Sequence, residues 1–317
     1  MKRKARSPAG LSWGGGDGAP ERSPRKPGED LQRKARGHHL VEYGGHPQRL
    51  FRIILERPLV GGGGEAYHPV MSFSLDWPVT TDGSDSRGWM TPLFLCALLQ
   101  ETATLHANKL GWGYRDLEQR GWQWVLSRQW IQMDCYPRWQ STVRVETWPS
   151  TQGGITYGRD YRILDENAKV LGKGTSLWFV MDRKTRRPVR VDMGPSMVED
   201  SEPPVHPSPL KPLRFGEMPS IQKAITTGHF DLDIHDHVNN VRYLGWMLDA
   251  LNRDFLLAHD AVEFEINFLA EGHYGDSLES AVHQEDTESL HELRRGDEVL
   301  SRMRCQWTRR EKQLVEA

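Results

Sequence analysis

Hydrophobic positions along this chain follow two rhythms, and the order of those rhythms occurs twice. From Tyr67, HPVMSFSLDWPV spaces its apolar residues as a strand does and stops at Pro78. The polar stretch TTDGSDSRGW reads as a loop. Thr91 and Pro92 then offer an N-cap hydroxyl and a proline at the first helical position. They predict a helix to about Leu110, apolar on most faces through Phe94, Leu95, Ala97, Leu98, Leu99 and Leu105. A helix apolar nearly all round has to be buried. WVLSRQWIQMD, TVRVETWPS, ITYGRDYRILD and TSLWFVMD follow as strands separated by Pro, Gly and Asn turns. Strand, buried helix and consecutive strands together predict an antiparallel sheet curled around one helix.

The pattern then restarts. Residues 196–222 contain Pro203, Pro204, Pro207, Pro209, Pro212 and Pro219, which predicts a semi-rigid linker because so many φ angles are set. After it come a strand-to-loop segment, ITTGHFDLDIHD, and a helix predicted over 240–257. That helix has Val241, Leu244, Leu248 and Leu251 on one stripe. VEFEINFLAE, DSLESAVHQED, SLHELRRGD and VLSRMRCQWTRR read as four more strands. The two copies share little sequence, so the repeat is one of architecture. Expected boundaries are a tail over 1–66, a first domain over 67–195, the linker, and a second domain over 223–317 carrying the active site.

The tail departs from this pattern. MKRKAR, GGGDG, ERSPRKPGED, QRKAR and GGGG are dominated by Gly, Pro, Arg and Lys. Such a segment buries too little apolar surface to fold, and LFRIILERPLV (50–60) is an apolar island within it. An electrostatic arm, a transit peptide and a plain disordered extension all fit. Few serines and several acidic residues weigh against the transit peptide. The expected location is therefore cytoplasmic, or the plastid stroma if the tail is a transit peptide after all.

Composition removes several function classes. Formal net charge is −2, which does not suit a nucleic-acid binder held by bulk charge. No apolar stretch approaches the ~20 residues of a membrane helix, and no apolar core follows the basic opening residues as a secretory signal would require. Cys96, Cys135 and Cys305 are odd in number and scattered, which suits a reducing compartment.

The densest chemistry lies in Asp231–Trp246, DLDIHDHVNNVRYLGW. On an extended segment Asp233, His235 and His237 would point to one face. Asn239 or Asn240 would cap the helix that follows, whose first N–H groups carry partial positive charge. A carboxylate and an imidazole beside such donors can activate water and stabilise an oxyanion. Judged without its flanks, the same cluster could be mere capping and solvation. A metal site at Asp233, His235 and His237 finds no further His or Cys at a telling spacing, so none is expected.

This run resembles the DLDxNxHVNNVxYxxW signature of the acyl-ACP thioesterases. The resemblance continues in order through GWMTPLFLCALLQETATLHANKLGWG, WQWVLSRQWIQMDCYPRW, TWPSTQGGITYGRDYRI, GTSLWFVMDRKTRRPVRV and NFLAEGHYGDSLES. It implies an α+β double hot-dog fold, two tandem curved antiparallel sheets each wrapped around a long helix. It also implies hydrolysis of fatty acyl-ACP to free fatty acid, with acyl carrier protein as partner and no cofactor.

Asp233 and His237 match the family's catalytic Asp and His, and Glu271 falls where it has an acidic residue. The resemblance assigns Glu271 as base or orienter of water, with Asp233 and His237 setting charge and geometry. A nucleophilic carboxylate forming an anhydride is the competing role. His235 stands where the family usually has Asn, and Gly272 where plant members often have Cys, which disfavours a cysteine nucleophile.

Arg183, Arg186 and Arg187, with Lys184 and Arg190, form a basic cluster for an acidic carrier, and Arg309, Arg310 and Lys312 form another. The first copy has no counterpart of the polar run, so one active site per chain is expected, built from the second copy. An acyl-CoA thioesterase of the same fold and a non-catalytic acyl-binding protein are the alternatives; monomer and homodimer both remain open.

Overall fold

The computed structural model describes residues 72–193, 204–216, 218 and 223–310. The tail over 1–66, its apolar island, part of the linker and Lys312 lie outside the described residues.

Two halves repeat one order of elements. The first is β1 (Phe73–Pro78), α1 (Pro92–Lys109), a short α2 (Tyr114–Glu118), β2 (Trp122–Met133), β3 (Thr142–Gly153), β4 (Thr156–Leu164), β5 (Val170–Asp182) and the two-residue β6 (Pro188–Val189). The second is β7 (Lys223–Thr226), α3 (Asn240–Leu248), α4 (Arg253–Ala258), β8 (His259–Phe268), β9 (Ser277–Gln284), β10 (Glu288–Arg295) and β11 (Glu298–Arg309). Strands run β1-β3-β4-β5-β2 in the first half and β7-β9-β10-β11-β8 in the second, the same order in each. Each half is therefore a curved antiparallel sheet with a helix inserted between its first two strands, the hot-dog arrangement.

The two sheets are not separate. β2 and β8 pair antiparallel from Arg128↔Asn267 to Gln132↔Glu263 and join the halves into one eleven-stranded sheet. One apolar core runs through both halves, from Phe73 and Leu95 to Phe264, Met303 and Trp307.

α1 begins as its sequence requires. Thr91 Oγ1 accepts from Phe94 N at 3.1 Å, Pro92 opens the helix, and Leu95, Cys96, Leu98, Leu99, Thr102, Ala103 and His106 are buried. The second helix is shorter than its apolar stripe predicts. α3 ends at Leu248, and Asn252 caps the separate α4 by accepting from Asp254 N at 2.7 Å. A side-chain amide that bonds the backbone locally competes with helix continuation, and here it caps a separate helix. Leu244, Leu248 and Leu251 are buried despite the break.

The described part of the linker lies along the sheet. Val205 N donates to Asp160 Oδ2 (2.8 Å), Leu213 N to Asn267 Oδ1 (2.7 Å), and Arg128 Nη1 to the Leu210 carbonyl (3.2 Å). It therefore straps strands of both halves across their junction.

Two histidines are buried without a carboxylate. His106 meets Arg159 Nη1 at 3.0 Å through Nδ1 and stacks on Phe73. Burial, and then the charges of Arg159 and Lys109, pull its pKa down to about 3. His291 is fully buried; Trp307 Nε1 donates to Ser289 Oγ (2.7 Å), which in turn lies 2.7 Å from His291 Nε2. Burial pulls its pKa down to about 3 as well. Both groups bind their proton more weakly folded than unfolded. Their contribution to stability is thus complete above about pH 6.5 and lost as pH falls towards about 3. Each should remove about 1.4 kcal/mol per pH unit in that window. Urea unfolding at pH 7 and pH 5 should show this loss, and the His106→Gln variant should show a smaller one.

Candidate active site

Two loops meet at the site, each shaped by hydrogen bonds that its own residues supply. The first precedes α3. Asp231 closes a single helical turn by accepting from Gly228 N at 2.8 Å, and its carbonyl accepts from Asn239 N at 2.8 Å. Leu232 and Val238 then pair as an isolated bridge, so the residues between them fold into a tight loop. Asp233 sits at its centre. Asp233 N donates to the His237 carbonyl (2.8 Å), and Asp233 Oδ1 accepts from His235 N (2.8 Å) and His237 N (3.4 Å). Asp236 takes a φ of 64°, a left-handed conformation that Asp tolerates better than most residues.

This corrects the extended segment expected from the alternation. Asp233, His235 and His237 do line one cavity, but a loop wound around the Asp233 carboxylate brings them there.

The second loop follows β8 and carries Glu271. The buried Tyr243 hydroxyl of α3 accepts from Gly272 N at 2.6 Å and donates to the Ala270 carbonyl at 3.3 Å. Val238 N donates to the Gly272 carbonyl at 2.9 Å, binding the two loops together. Arg295 of β10 ties the far end by its ion pair with Asp276 and reaches the Glu271 carbonyl at 3.4 Å.

Glu271 Oε2 consequently lies 3.6 Å from His237 Nε2. His273 stands edge-on to His237, ring centroids 5.4 Å apart. The guanidinium of Arg186, from the turn between β5 and β6, contacts Glu271 Oε2.

Burial lowers the pKa of His237. Asp233 opposes that shift, and Arg186, His273 and His235 add to it. Burial likewise lowers that of His235, with Asp233 opposing. Both imidazoles are therefore neutral at pH 7, able to accept a proton or a hydrogen bond. His235 packs against Tyr114 at 5.1 Å, and its Nδ1 is buried with no hydrogen-bond partner.

The two asparagines divide. Asn239 turns its side chain onto its own helix, accepting from Val241 N at 2.9 Å, and is absent from the cavity wall. Asn240, the first residue of α3, lines it.

The cavity measures about 410 Å³. Its wall is not confined to the second half as expected: Gln123 to Leu126 of β2, Phe179 and Met181 of β5, and Arg186 line it too, because β2 lies next to β8. Leu126, Asn240 and Phe268 also line a constriction of about 10 Å³. Trp178 lines both that constriction and an apolar pocket of about 110 Å³ beneath α1, which Trp112, Trp124 and Tyr157 also line. At the start of α1 a separate cleft of about 560 Å³ holds Asp85, Arg87, Asp260 and Arg310. There Arg87 pairs with Asp85 and Arg310 with Asp260.

Arg186, expected at the docking surface, instead contacts Glu271, and His273, which carries no sequence expectation, stands beside His237. No local spacing signals either one. The reading also passed over one ligand set. His237, Glu271 and His273 each bring a ligand atom within 4.8 Å of the others, whereas Asp233 and His235 do not join them. At that point Arg186 already supplies a positive charge to Glu271. Of the cysteines, Cys96 and Cys305 are buried and Cys135 is exposed. Cys96 reaches the neck, where burial raises its thiol pKa and makes it inert.

The packing at position 272 leaves little room for a side chain. A Cβ there would lie 3.0 Å from Val238 Cγ2 and 3.2 Å from the Tyr243 hydroxyl. Gly272→Cys should therefore lower thermal stability and displace Glu271. Tyr243→Phe should cost about 1–3 kcal/mol by leaving the Gly272 N–H unpaired. Thermal unfolding of both variants checks this.

Comparison with known proteins gives a consistent pattern. Residues 71–194 match the acyl-ACP thioesterase N-terminal domain and residues 217–309 its C-terminal domain. A chloroplastic palmitoyl-acyl carrier protein thioesterase of Gossypium hirsutum is 28% identical over 219 residues, 63% of this chain and 52% of that protein. One from Cuphea hookeriana is 32% identical over 197 residues, 57% of this chain and 47% of that protein. The chain spans about half the length of these curated relatives.

Two solved structures share the fold. The 12:0-ACP thioesterase from Umbellularia californica gives a TM-score of 0.69 at 22% identity, covering 79% of this chain and 100% of that one. An acyl-ACP thioesterase from Bacteroides thetaiotaomicron gives 0.68 at 24%, covering 75% and 98%.

Proposed function

Because the chain belongs to the acyl-ACP thioesterase family, we propose that it hydrolyses the thioester between a fatty acyl chain and acyl carrier protein, releasing free acid and carrier thiol. The observation that carries this reading is Glu271 facing neutral His237 across 3.6 Å, in a cavity that shares Trp124 of its wall with an apolar pocket. Thioester hydrolysis needs a water, an acceptor for its proton, and donors for the oxyanion. Glu271 takes or directs the proton of the water. His237 stands by as the neutral partner that can share it, and Asp233 holds the loop that aims His237. The N-terminus of α3 at Asn240 faces the same space and serves the oxyanion. His235 occupies the family's Asn position as a neutral imidazole. The acyl tail runs past Leu126 and Phe268 towards Trp112, Trp124, Tyr157 and Trp178.

Charge at the mouth suits an acidic carrier, though not through every arginine the sequence suggested. Arg183 lies 3.8 Å from Glu118, and Arg186 is engaged by Glu271. Arg187, Lys184 and Arg190 are exposed and make no ion pair among the described residues, so they are the better docking candidates. Phe230, Ile234 and Tyr274 (87%, 73% and 68% exposed) add an apolar rim on the two site loops. Among the described residues no helix is long and apolar enough to cross a membrane. We place the enzyme in the cytoplasm, or in the plastid stroma if the tail is a transit peptide.

The test is hydrolysis of an acyl-ACP panel beside the matching acyl-CoAs. Wild type should turn over acyl-ACP, with Glu271→Gln and His237→Ala each losing at least 100-fold in kcat, a size expected for removing an acid–base group. Turnover of acyl-CoA alone would overturn the carrier assignment, and bound ligand without turnover would overturn hydrolysis. Arg187→Glu should raise KM for acyl-ACP and leave acyl-pantetheine unaffected. Equal effects on both would remove Arg187 from docking.

A further inference from the structure

The turn between β5 and β6 spends backbone energy on an arginine. Asp182 Oδ1 accepts from Lys184 N (3.0 Å) and Thr185 N (2.8 Å), and Arg186 N donates to the Asp182 carbonyl (2.9 Å). Arg183 N donates to the Gly121 carbonyl at 2.9 Å, anchoring the turn to the start of β2. Within this rigid turn Arg186 has a φ of 57°. Gly or Asn would adopt that conformation at less cost, because Cβ crowds the backbone there. An arginine held at such a position is a reason to look for what its side chain does.

Its side chain crosses from the first half to the second and contacts Glu271 Oε2, the oxygen that also faces His237 Nε2 at 3.6 Å. Glu271 Oε1 has no protein partner among the described residues. The pair is part-exposed, with side chains 48% and 21% accessible, so it adds little to stability. What it can set is direction and charge.

Glu271 is faced by Arg186 from the β5–β6 turn, by Asp233 and His237 from the loop before α3, and by Tyr243 from α3. On its own loop stand His273 and Asp276, and beyond lie Arg295 and Glu298. Arg295 is taken by Asp276 and Glu298 and meets only the Glu271 carbonyl. Arg186 is therefore the one cation paired with the Glu271 carboxylate among the described residues.

We infer that Arg186 is a positioning residue: from the first half of the chain it pins one oxygen of Glu271 beside His237 and leaves the other oxygen to work on water. It prevents the carboxylate from swinging out of the mouth. The active site is then completed across the two halves, which is why the turn that carries Arg186 is anchored so firmly. This inference rests on the hydrolase reading above.

The test uses the full chain with Arg186→Asn, which suits the left-handed turn but lacks the guanidinium, and Arg186→Lys, which keeps a charge. Lys169→Gln, at an exposed lysine away from the site, is the control for loss of a surface positive charge. Palmitoyl-ACP and palmitoyl-pantetheine are the substrates. Arg186→Asn should fold at least as stably as wild type, yet lose roughly tenfold in kcat on both substrates, as removal of one oriented charge contact does. The acidic limb of its kcat/KM profile should move to higher pH. Arg186→Lys should recover part of both effects, and Lys169→Gln should leave kcat on palmitoyl-pantetheine unchanged.

An activity-free readout separates this inference from the reading beneath it. In protein labelled with 13C at glutamate carboxyls, the Glu271 titration should move to higher pH in Arg186→Asn. Loss confined to KM for palmitoyl-ACP, or an unmoved Glu271 titration, would overturn the inference even with Glu271→Gln inactive. A wild type that cleaves neither substrate would sink the hydrolase reading, and the inferred role of Arg186 with it.

Discussion

The pairing of β2 with β8 is the constraint on which the rest of the molecule depends. Five residue pairs, Arg128↔Asn267 to Gln132↔Glu263, merge two sheets that would otherwise end in open edges. An unpaired central edge would leave a row of backbone donors and acceptors exposed to other chains. Closing it within the chain removes that hazard and sets the halves at one register. The linker strap across Asp160, Asn267 and Arg128 then runs over a junction that already exists.

From that junction the site follows. Asn240, at the N-terminus of α3, lines the same cavity as residues of β2 and β5. The loop before α3 supplies Asp233, His235 and His237; the loop after β8 supplies Glu271; and the β5–β6 turn supplies Arg186. None of the three segments holds a working geometry alone. Tyr243, at the centre of α3, grips the Glu271 loop through Gly272 N, so the register of one short helix sets the distance between Glu271 and His237. The halves are alike in architecture but not in this polar content. At the matching place in the first half, Asp85 and Arg87 close on each other.

The apolar side of the site has the same origin. Trp112, Trp124, Tyr157 and Trp178 come from the first half, and Trp124 lines both their pocket and the polar cavity. A polar cavity and an apolar pocket have opposite solvation needs. The fold separates them by placing one between the halves and the other under α1.

Much of this was legible in the chain alone, for local physical reasons. Thr91-Pro92 starts α1 because a hydroxyl and a proline do so wherever they precede an apolar run. The strand periodicities of both halves, and the concentration of Asp, His and Asn before Val241, likewise depend only on neighbours in sequence. Four features did not. The break after Leu248 arises because Asn252 bonds the backbone locally, a competition that an apolar stripe does not register. Asp233, His235 and His237 converge through a loop closed by Leu232 and Val238, not through strand alternation. Arg186 meets Glu271 across 85 positions of chain, and His273 meets His237 through a loop held by Tyr243. The sequence by itself determined where most strands and α1 form and where Asp, His and Asn concentrate, since propensity, capping and periodicity act between near neighbours. Which residues touch was decided by the tertiary structure, because contacts of long sequence separation exist only once the chain has folded, and that of Arg186 with Glu271 joins the two halves.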